Sequence, residues 1–529
     1  MKRMTALLLA LLLLLAIGCA PATTEEQQPE VTAPTGQSGE GDNASEETTH
    51  PMGGDIVVAT TLTTNTMSPF EIRGASVYAE LLYESLLRLD EQGVPQPYLA
   101  ETFEEDIDSL TYTIKLREGI LFHDGSELTA EVAKWNLDTY KERGVLSSSF
   151  LSKLESVEVV DEYTIVLHMS EWDAFLPYAL ARPLGCGYMV SQEAYEKDGV
   201  DTVSTGPFKL DTWEQGVYTK VVKFEDYWQG EPYLDSVTLQ VFASTVVAQA
   251  SLETGEIDAI FNTDYDSTSY LAAEGYTVYT TTIPASNHTI CFHCVSEDDP
   301  FSDIRVRQAV CYAIDRQVIA DALFAGYGEA STQYGAPGSM YYNDEVTGYA
   351  YDVEKAKALL ADAGYPDGFS TTLTAFSVPL WMDICQVVVE QLAEVGITVE
   401  INVVDGAGYA VAVDGWGGGM FFHPMGMDNG AASQIAANYV QGLESGLGVS
   451  SFIHPDDLNA KIQEACVSET EQATEMFKEV QKMIFEDYCL LKSIGVTYST
   501  TVVNPDLMDS GLGAVTSSSH TLWKAYLAG

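Results

Sequence analysis

Two helix-then-strand units late in the chain limit the fold more than any other feature. Residues 353–363 read as a helix that stops at Gly364, and residues 381–394 as one that stops at Gly396. Glycine past the last turn ends a helix because it accepts the left-handed backbone that other residues resist. Each helix runs into a strand, residues 369–376 and 397–404. Helix followed by strand, twice in succession, marks an α/β layer with a partly parallel sheet. Upstream, residues 110–116 alternate with period two, as do residues 156–169 in two pieces, which predicts half-buried strands. Residues 128–143 have helical character. Thr129 opens that helix without a Glu three residues on, so the capping box is incomplete, while Glu131 suits the first turn.

The chain opens differently. Met1-Lys2-Arg3, an apolar run from Leu7 to Ile17 and then Gly18-Cys19 describe a secretory signal peptide, too short to span a bilayer comfortably. Cys19, directly after Ala16-Ile17-Gly18, resembles the bacterial lipobox cysteine, whose thiol is lipidated and becomes the new N-terminus; Ala16 stands where that pattern prefers Leu. Residues 20–54 are almost wholly Ala, Pro, Thr, Glu, Gln, Gly and Ser. Such a segment buries too little apolar surface to offset its ordering entropy, so it is expected to act as a disordered tether. One lipid chain holds weakly, and stable attachment needs a second.

The formal net charge is -53, which excludes nucleic acid and anionic lipid surfaces as partners through long-range repulsion. With 46% hydrophobic and 19% charged residues the body is nonetheless globular. From Asp55 to Gly529 it is too long for one core and predicts two or three compact units. Of eight cysteines, Cys186, Cys291, Cys294, Cys311, Cys385, Cys466 and Cys489 remain once Cys19 is lipidated. An odd number cannot all pair, and their wide spacing outlines no disulfide scaffold. An extracytoplasmic address permits some to be oxidised without saying which.

Seven motifs occur in order: Tyr83-Glu84-Ser85-Leu86; Leu99-Ala100-Glu101; Leu116-Arg117-Glu118-Gly119 through His123-Asp124-Gly125; Leu128-Thr129-Ala130-Glu131; Ser204-Thr205-Gly206-Pro207-Phe208; Val306-Arg307-Gln308-Ala309 with Ala313-Ile314-Asp315-Arg316; and Tyr351-Asp352 through Ala363-Gly364-Tyr365-Pro366. Together they resemble the family 5 extracellular solute-binding proteins, the peptide- and nickel-binding subunits of ABC importers. The resemblance covers nearly all of residues 55–529. It implies an α/β, two-lobed periplasmic-binding-protein-like fold of type II, with an extra inserted domain. One lobe would combine residues 55–88, 205–290 and 495–529, with residues 89–204 inserted; the other would be residues 291–494.

Most motif residues read as structural. His123-Asp124-Gly125 is a polar turn. Thr205-Gly206 is different, because a glycine there lets backbone approach a ligand, and both residues are candidates for lining the cleft. In dipeptide-binding members an Asp pairs with the peptide amine and an Arg clamps its carboxylate. Asp428 is the acid nearest the first position, although His423-Pro424 replaces the expected Gly-Trp. No Arg occurs in Ser377 to Met382, so the clamp is missing, and Trp381 is the candidate contact there, either stacking on ligand or packing on its own helix. A longer ligand, or one with an uncharged far end, suits this arrangement better than a free dipeptide.

Met420, His423, Met425 and Met427 crowd one loop, and such donors suit copper or nickel; in nickel-binding relatives a histidine comes from the equivalent region. Thioethers also fill apolar pocket walls, so His423, Met425 and Met427 are retained as ligand-contact candidates without a metal. His288, Cys291, His293 and Cys294 fall on a predicted strand whose alternation splits them as zinc ligands. No Gly-x-Ser-x-Gly elbow, His-Glu-x-x-His helix, phosphate loop or dinucleotide turn occurs in a usable context, so a hydrolase is the low rival. The expected protein is a monomeric, lipid-anchored receptor without cofactor that delivers a small ligand to an ABC permease, a peptide before a chelated metal or an oligosaccharide. Ligand contacts to both lobes exist only in the closed state, so binding favours closure.

Overall fold

The computed structural model describes residues 50–528 except 72–77, 145–146, 183–184, 409–411, 413–414, 427–431, 433–434, 437–438, 440–449 and 513–521. The expected signal peptide, Cys19 and the tether to residue 49 lie outside the described residues.

Both helix-then-strand units form. The first helix, Val353–Asp362, is capped by Asp352, whose carboxylate accepts from the Lys355 N–H at 2.9 Å. The second, Pro379–Ala393, begins two residues before the sequence indicated. Pro379 takes its first position, where a missing N–H forfeits no helical bond and φ is already set. Strands Phe369–Phe376 and Ile397–Val404 run parallel, with Phe369 opposite Ile397. At their shared start a Cβ on Gly368 would lie 1.9 Å from the Gly396 carbonyl oxygen, so only glycine fits.

These strands close one edge of a six-stranded sheet in the order Gly328–Ala330, Leu491–Thr497, Ser286–Phe292, Met420–Gly426, Phe369–Phe376, Ile397–Val404. Both of its faces are covered. Along Met420–Gly426, Met420 and Phe422 enter one apolar cluster while Phe421 and Met425 enter another on the opposite face.

A seven-stranded sheet runs Thr277–Thr280, Thr500–Val503, Ala259–Ile260, Asp55–Thr60, Ser236–Val241, Tyr218–Lys223, Phe208–Glu214. Asp55–Thr60 lies parallel to both of its neighbours. Between its first and later strands the chain builds an antiparallel four-stranded sheet, ordered Ala100–Asp106, Thr111–Leu116, Thr164–Met169, Leu154–Val159. Helix Ala130–Arg143 packs on it; Thr129 caps that helix in extended backbone without a side-chain bond, as the incomplete capping box implied. One apolar cluster is continuous across both sheets, holding Ile56 and Val237 together with Tyr112 and Ile165.

The chain passes between the six- and seven-stranded sheets at residues 281–285 and 498–499. The two crossings pair with each other: Thr281 N donates to Ser499 O at 3.1 Å and Ala285 N to Thr497 O at 2.8 Å. Strands Ser286–Phe292 and Leu491–Thr497 lie wholly in the six-stranded sheet.

Candidate ligand-binding cleft

Where the crossings meet, a cavity of about 330 Å³ opens between residues 262–265, Ala285, residues 378–380 and residues 497–500. Each wall follows from local structure. Residues 262–265 leave strand Ala259–Ile260 of one sheet, whereas residues 378–380 leave strand Phe369–Phe376 of the other and begin helix Pro379–Ala393. The volume falls within the class that holds small organic ligands.

Asn262 holds a left-handed backbone, φ +52°, which costs a non-glycine residue free energy. Its Oδ1 is buried and accepts no hydrogen bond. Asp264 caps helix Tyr265–Ala273, accepting from Ser267 N at 2.9 Å, and also accepts from the Thr245 hydroxyl. Burial pushes its carboxyl up, but these hydrogen bonds outweigh that and hold it below the usual range, so it stays ionised. The Tyr265 hydroxyl donates to Tyr498 O at 2.9 Å and ties the helix start to a crossing.

Thr497 is steadied from behind. Its hydroxyl lies 3.0 Å from His288 Nε2, and the His288 ring packs against Phe324 and Phe422 at 5.6 and 6.0 Å. Burial lowers the His288 imidazole to about 4, so it is neutral at pH 7.

The residues singled out from sequence are dispersed. Trp381 follows the cavity wall directly, partly buried against the helical side of the six-stranded sheet, with its ring 6.2 Å from Phe376 and 6.3 Å from Phe422. His423 stacks on Phe421 at 5.7 Å and so belongs to the opposite face of that strand from Phe422. Burial brings its imidazole down to about 4. Met425 is fully buried in the apolar cluster of Phe421 and Tyr334. Met420 is equally buried on the other face, so alternation separates thioethers that looked clustered in the sequence. Among the described residues no group of three His, Cys, Asp or Glu is arranged to hold a metal ion. Met427 and Asp428 lie outside the described residues.

Thr205 and Gly206 lie away from this cavity. Gly206 N donates to Leu82 O at 3.0 Å, and a Cβ there would lie 2.5 Å from that oxygen. The glycine thus permits a close approach to the protein's own backbone at Leu82. Thr205 is fully buried beside it, absent from the cavity wall. The His123 ring bonds to Gly206 O at 2.9 Å, in keeping with its reading as a fold residue. Sequence reasoning missed Asn262 and Asp264, which lie in a short Asn-Thr-Asp-Tyr run after an apolar strand and carry no motif of their own.

The model of the bacterial extracellular solute-binding proteins, family 5 Middle, matches residues 94–445. The glutathione-binding protein GsiB of Salmonella paratyphi A is 34% identical over 374 residues, covering 69% of this chain and 72% of the relative. Among solved structures, the oligopeptide-binding protein AppA from Bacillus subtilis in complex with a nonapeptide superposes with a TM-score of 0.70 at 24% identity, over 91% of this chain and all of that one. NikA from Brucella suis in complex with Fe(III)-EDTA superposes with a TM-score of 0.79 at 20% identity, covering 90% of this chain and 100% of its own. The chain belongs to the family 5 extracellular solute-binding proteins, the extracytoplasmic solute-binding subunits of ABC importers. Its working partner is an ABC transporter permease.

Proposed function

We propose that this protein captures a short peptide in the cavity at the sheet crossings and presents it to its permease while tethered to the membrane by a lipid on Cys19. The observation that carries the ligand reading is Asn262: a strained residue with an unpartnered buried carbonyl, on the wall of a cavity bounded by both sheets. A peptide N–H satisfies that acceptor, and binding then removes the cost of leaving it unpaired. The ionised Asp264 on the same wall, and Asp428 beyond the described residues, supply negative charge for a peptide amine. The absence of an Arg at residues 377–382 favours a ligand whose far end makes no buried carboxylate pair. The relatives that share about a third of the residues are named for glutathione, a tripeptide, which makes it the first probe.

The two lobes of the proposal are the seven-stranded sheet with its inserted four-stranded unit and the six-stranded sheet with its helices. Paired crossings 281–285 and 498–499 form the hinge. The inserted unit already reaches the second lobe, where Trp172 Nε1 donates to Ser468 O at 2.9 Å and Phe175 packs on Phe477 at 5.6 Å. A bound ligand that touches both lobes favours the closed arrangement.

Calorimetry tests the reading with glutathione, unmodified tripeptides and their N-acetylated forms. A ligand is expected to bind stoichiometrically and to be recovered unchanged, with Asn262→Ala weakening it roughly tenfold, the equivalent of one hydrogen bond. Asp428→Ala should weaken the free-amine peptide far more than its acetylated form. Equal losses for both would remove the amine anchor, and conversion of ligand to product would remove the receptor.

A further inference from the structure

Cys311 and Cys489 lie 178 residues apart in the chain, yet their Sγ atoms are 3.4 Å from each other. Cys311 is on helix Ile304–Ala313, while Cys489 leads into strand Leu491–Thr497 with φ +48°. Both are fully buried. The backbone on each side is fixed by buried cations. Arg307, one helical turn before Cys311, donates to Cys489 O at 3.0 Å and to Tyr488 O at 2.8 Å, and Lys492 Nζ donates to Cys311 O at 3.0 Å.

From this juxtaposition we infer that Cys311 and Cys489 are joined by a structural disulfide in the mature protein. Forming it requires the sulfurs to approach by roughly 1.4 Å, within reach of small side-chain rotations. The inference rests on the extracytoplasmic placement of the family, because only an oxidising exterior lets such a bond persist. The oxidant is a disulfide-bearing one, a thiol–disulfide oxidoreductase or a small disulfide. One cysteine thiolate attacks it and forms a mixed disulfide; the second cysteine thiolate attacks the first sulfur and expels the remaining thiolate. Two thiols lose two electrons and two protons, and the oxidant's disulfide becomes two thiols.

In the folded protein burial raises a thiol's pKa, but the contact with Cys489 and the neighbouring Lys492 and Arg307 bring Cys311 below the ordinary range. Because both sulfurs are shut from solvent once the helix docks, the link forms while the chain folds. It would fasten the helix carrying the Val306-Arg307-Gln308-Ala309 motif to the strand that leads back to the hinge. The other cysteines have different surroundings; Cys294 Sγ, for one, accepts from Ile453 N at 3.4 Å.

The test uses the full-length protein exported by a bacterium, extracted with detergent, acid-quenched, denatured and alkylated. The expected result is two fewer alkylated cysteines before reduction than after it, and a peptide containing Cys311 linked to one containing Cys489. Reduction should lower Tm by roughly 5 °C in wild type, since a bond closing so long a loop restrains the unfolded chain strongly, and should leave a Cys311→Ser variant unmoved. Identical alkylation before and after reduction, or a linked peptide pairing other cysteines, would overturn the inference. Peptide binding measured on native protein from the same detergent extract, before quenching, separates this failure from failure of the receptor reading.

Discussion

Replacing His288 by Phe should make the protein less sensitive to acid. The ring packs near Phe324 and Phe422, its Nε2 meets Thr497, and its Nδ1 is buried without a hydrogen-bond partner. Burial lowers the imidazole from its ordinary 6.5 to about 4. Between those values the unfolded chain binds a proton that the folded chain refuses, so the stability is complete above about pH 6.5 and drains away as pH falls toward 4. At pH 5 this one residue withdraws about 2 kcal/mol, on a scale of 1.36 kcal/mol per pKa unit. Phe has nearly the same shape, adds no titrating group and removes the orphan nitrogen. The loss of the Thr497 contact costs about 1 kcal/mol at any pH. The unfolding free energy of the variant relative to wild type, from urea titrations followed by tryptophan fluorescence, should therefore rise by about 2 kcal/mol between pH 8 and pH 5. Acid also relieves repulsion among the many carboxylates, but it does so in both proteins and cancels in the difference. A difference that stays constant across that range would refute the claim that His288 is held neutral by burial.

Other substitutions probe the scaffold. Gly206→Ala drives a methyl group against the Leu82 backbone and should lower Tm by a few degrees, while ligand affinity of the folded protein stays unchanged, since the glycine serves packing. A selective loss of affinity would return Gly206 to the cleft. Arg307→Leu leaves four carbonyl oxygens, on Phe301, Ser302, Tyr488 and Cys489, without their donor and should cost about 3 kcal/mol or more in urea unfolding. A loss under about 1 kcal/mol would show that water or neighbouring groups replace it.

The sequence by itself settled the family and the α/β class, and it placed strands 369–376 and 397–404 with their true bounds. Those features are local or ordered along the chain: a glycine stop, a period-two alternation, a run of seven motifs. Even the helix at Pro379–Ala393 differed from its reading by two residues at its proline start and one at its end. The site was another matter. Met420, His423 and Met425 looked like one donor cluster because they are close in sequence, but the strand sends Met420 to the opposite face from His423 and Met425, and each face meets a different apolar cluster. Asn262, Asp264, Pro379 and Thr497 share a cavity across more than two hundred residues of chain, brought together only where two sheets exchange strands. Cys311 and Cys489 meet for the same reason. Propensity and pattern act over a few residues, whereas burial, an unpaired carbonyl and the contact of two sulfurs are properties of surfaces that exist only after the sheets have packed.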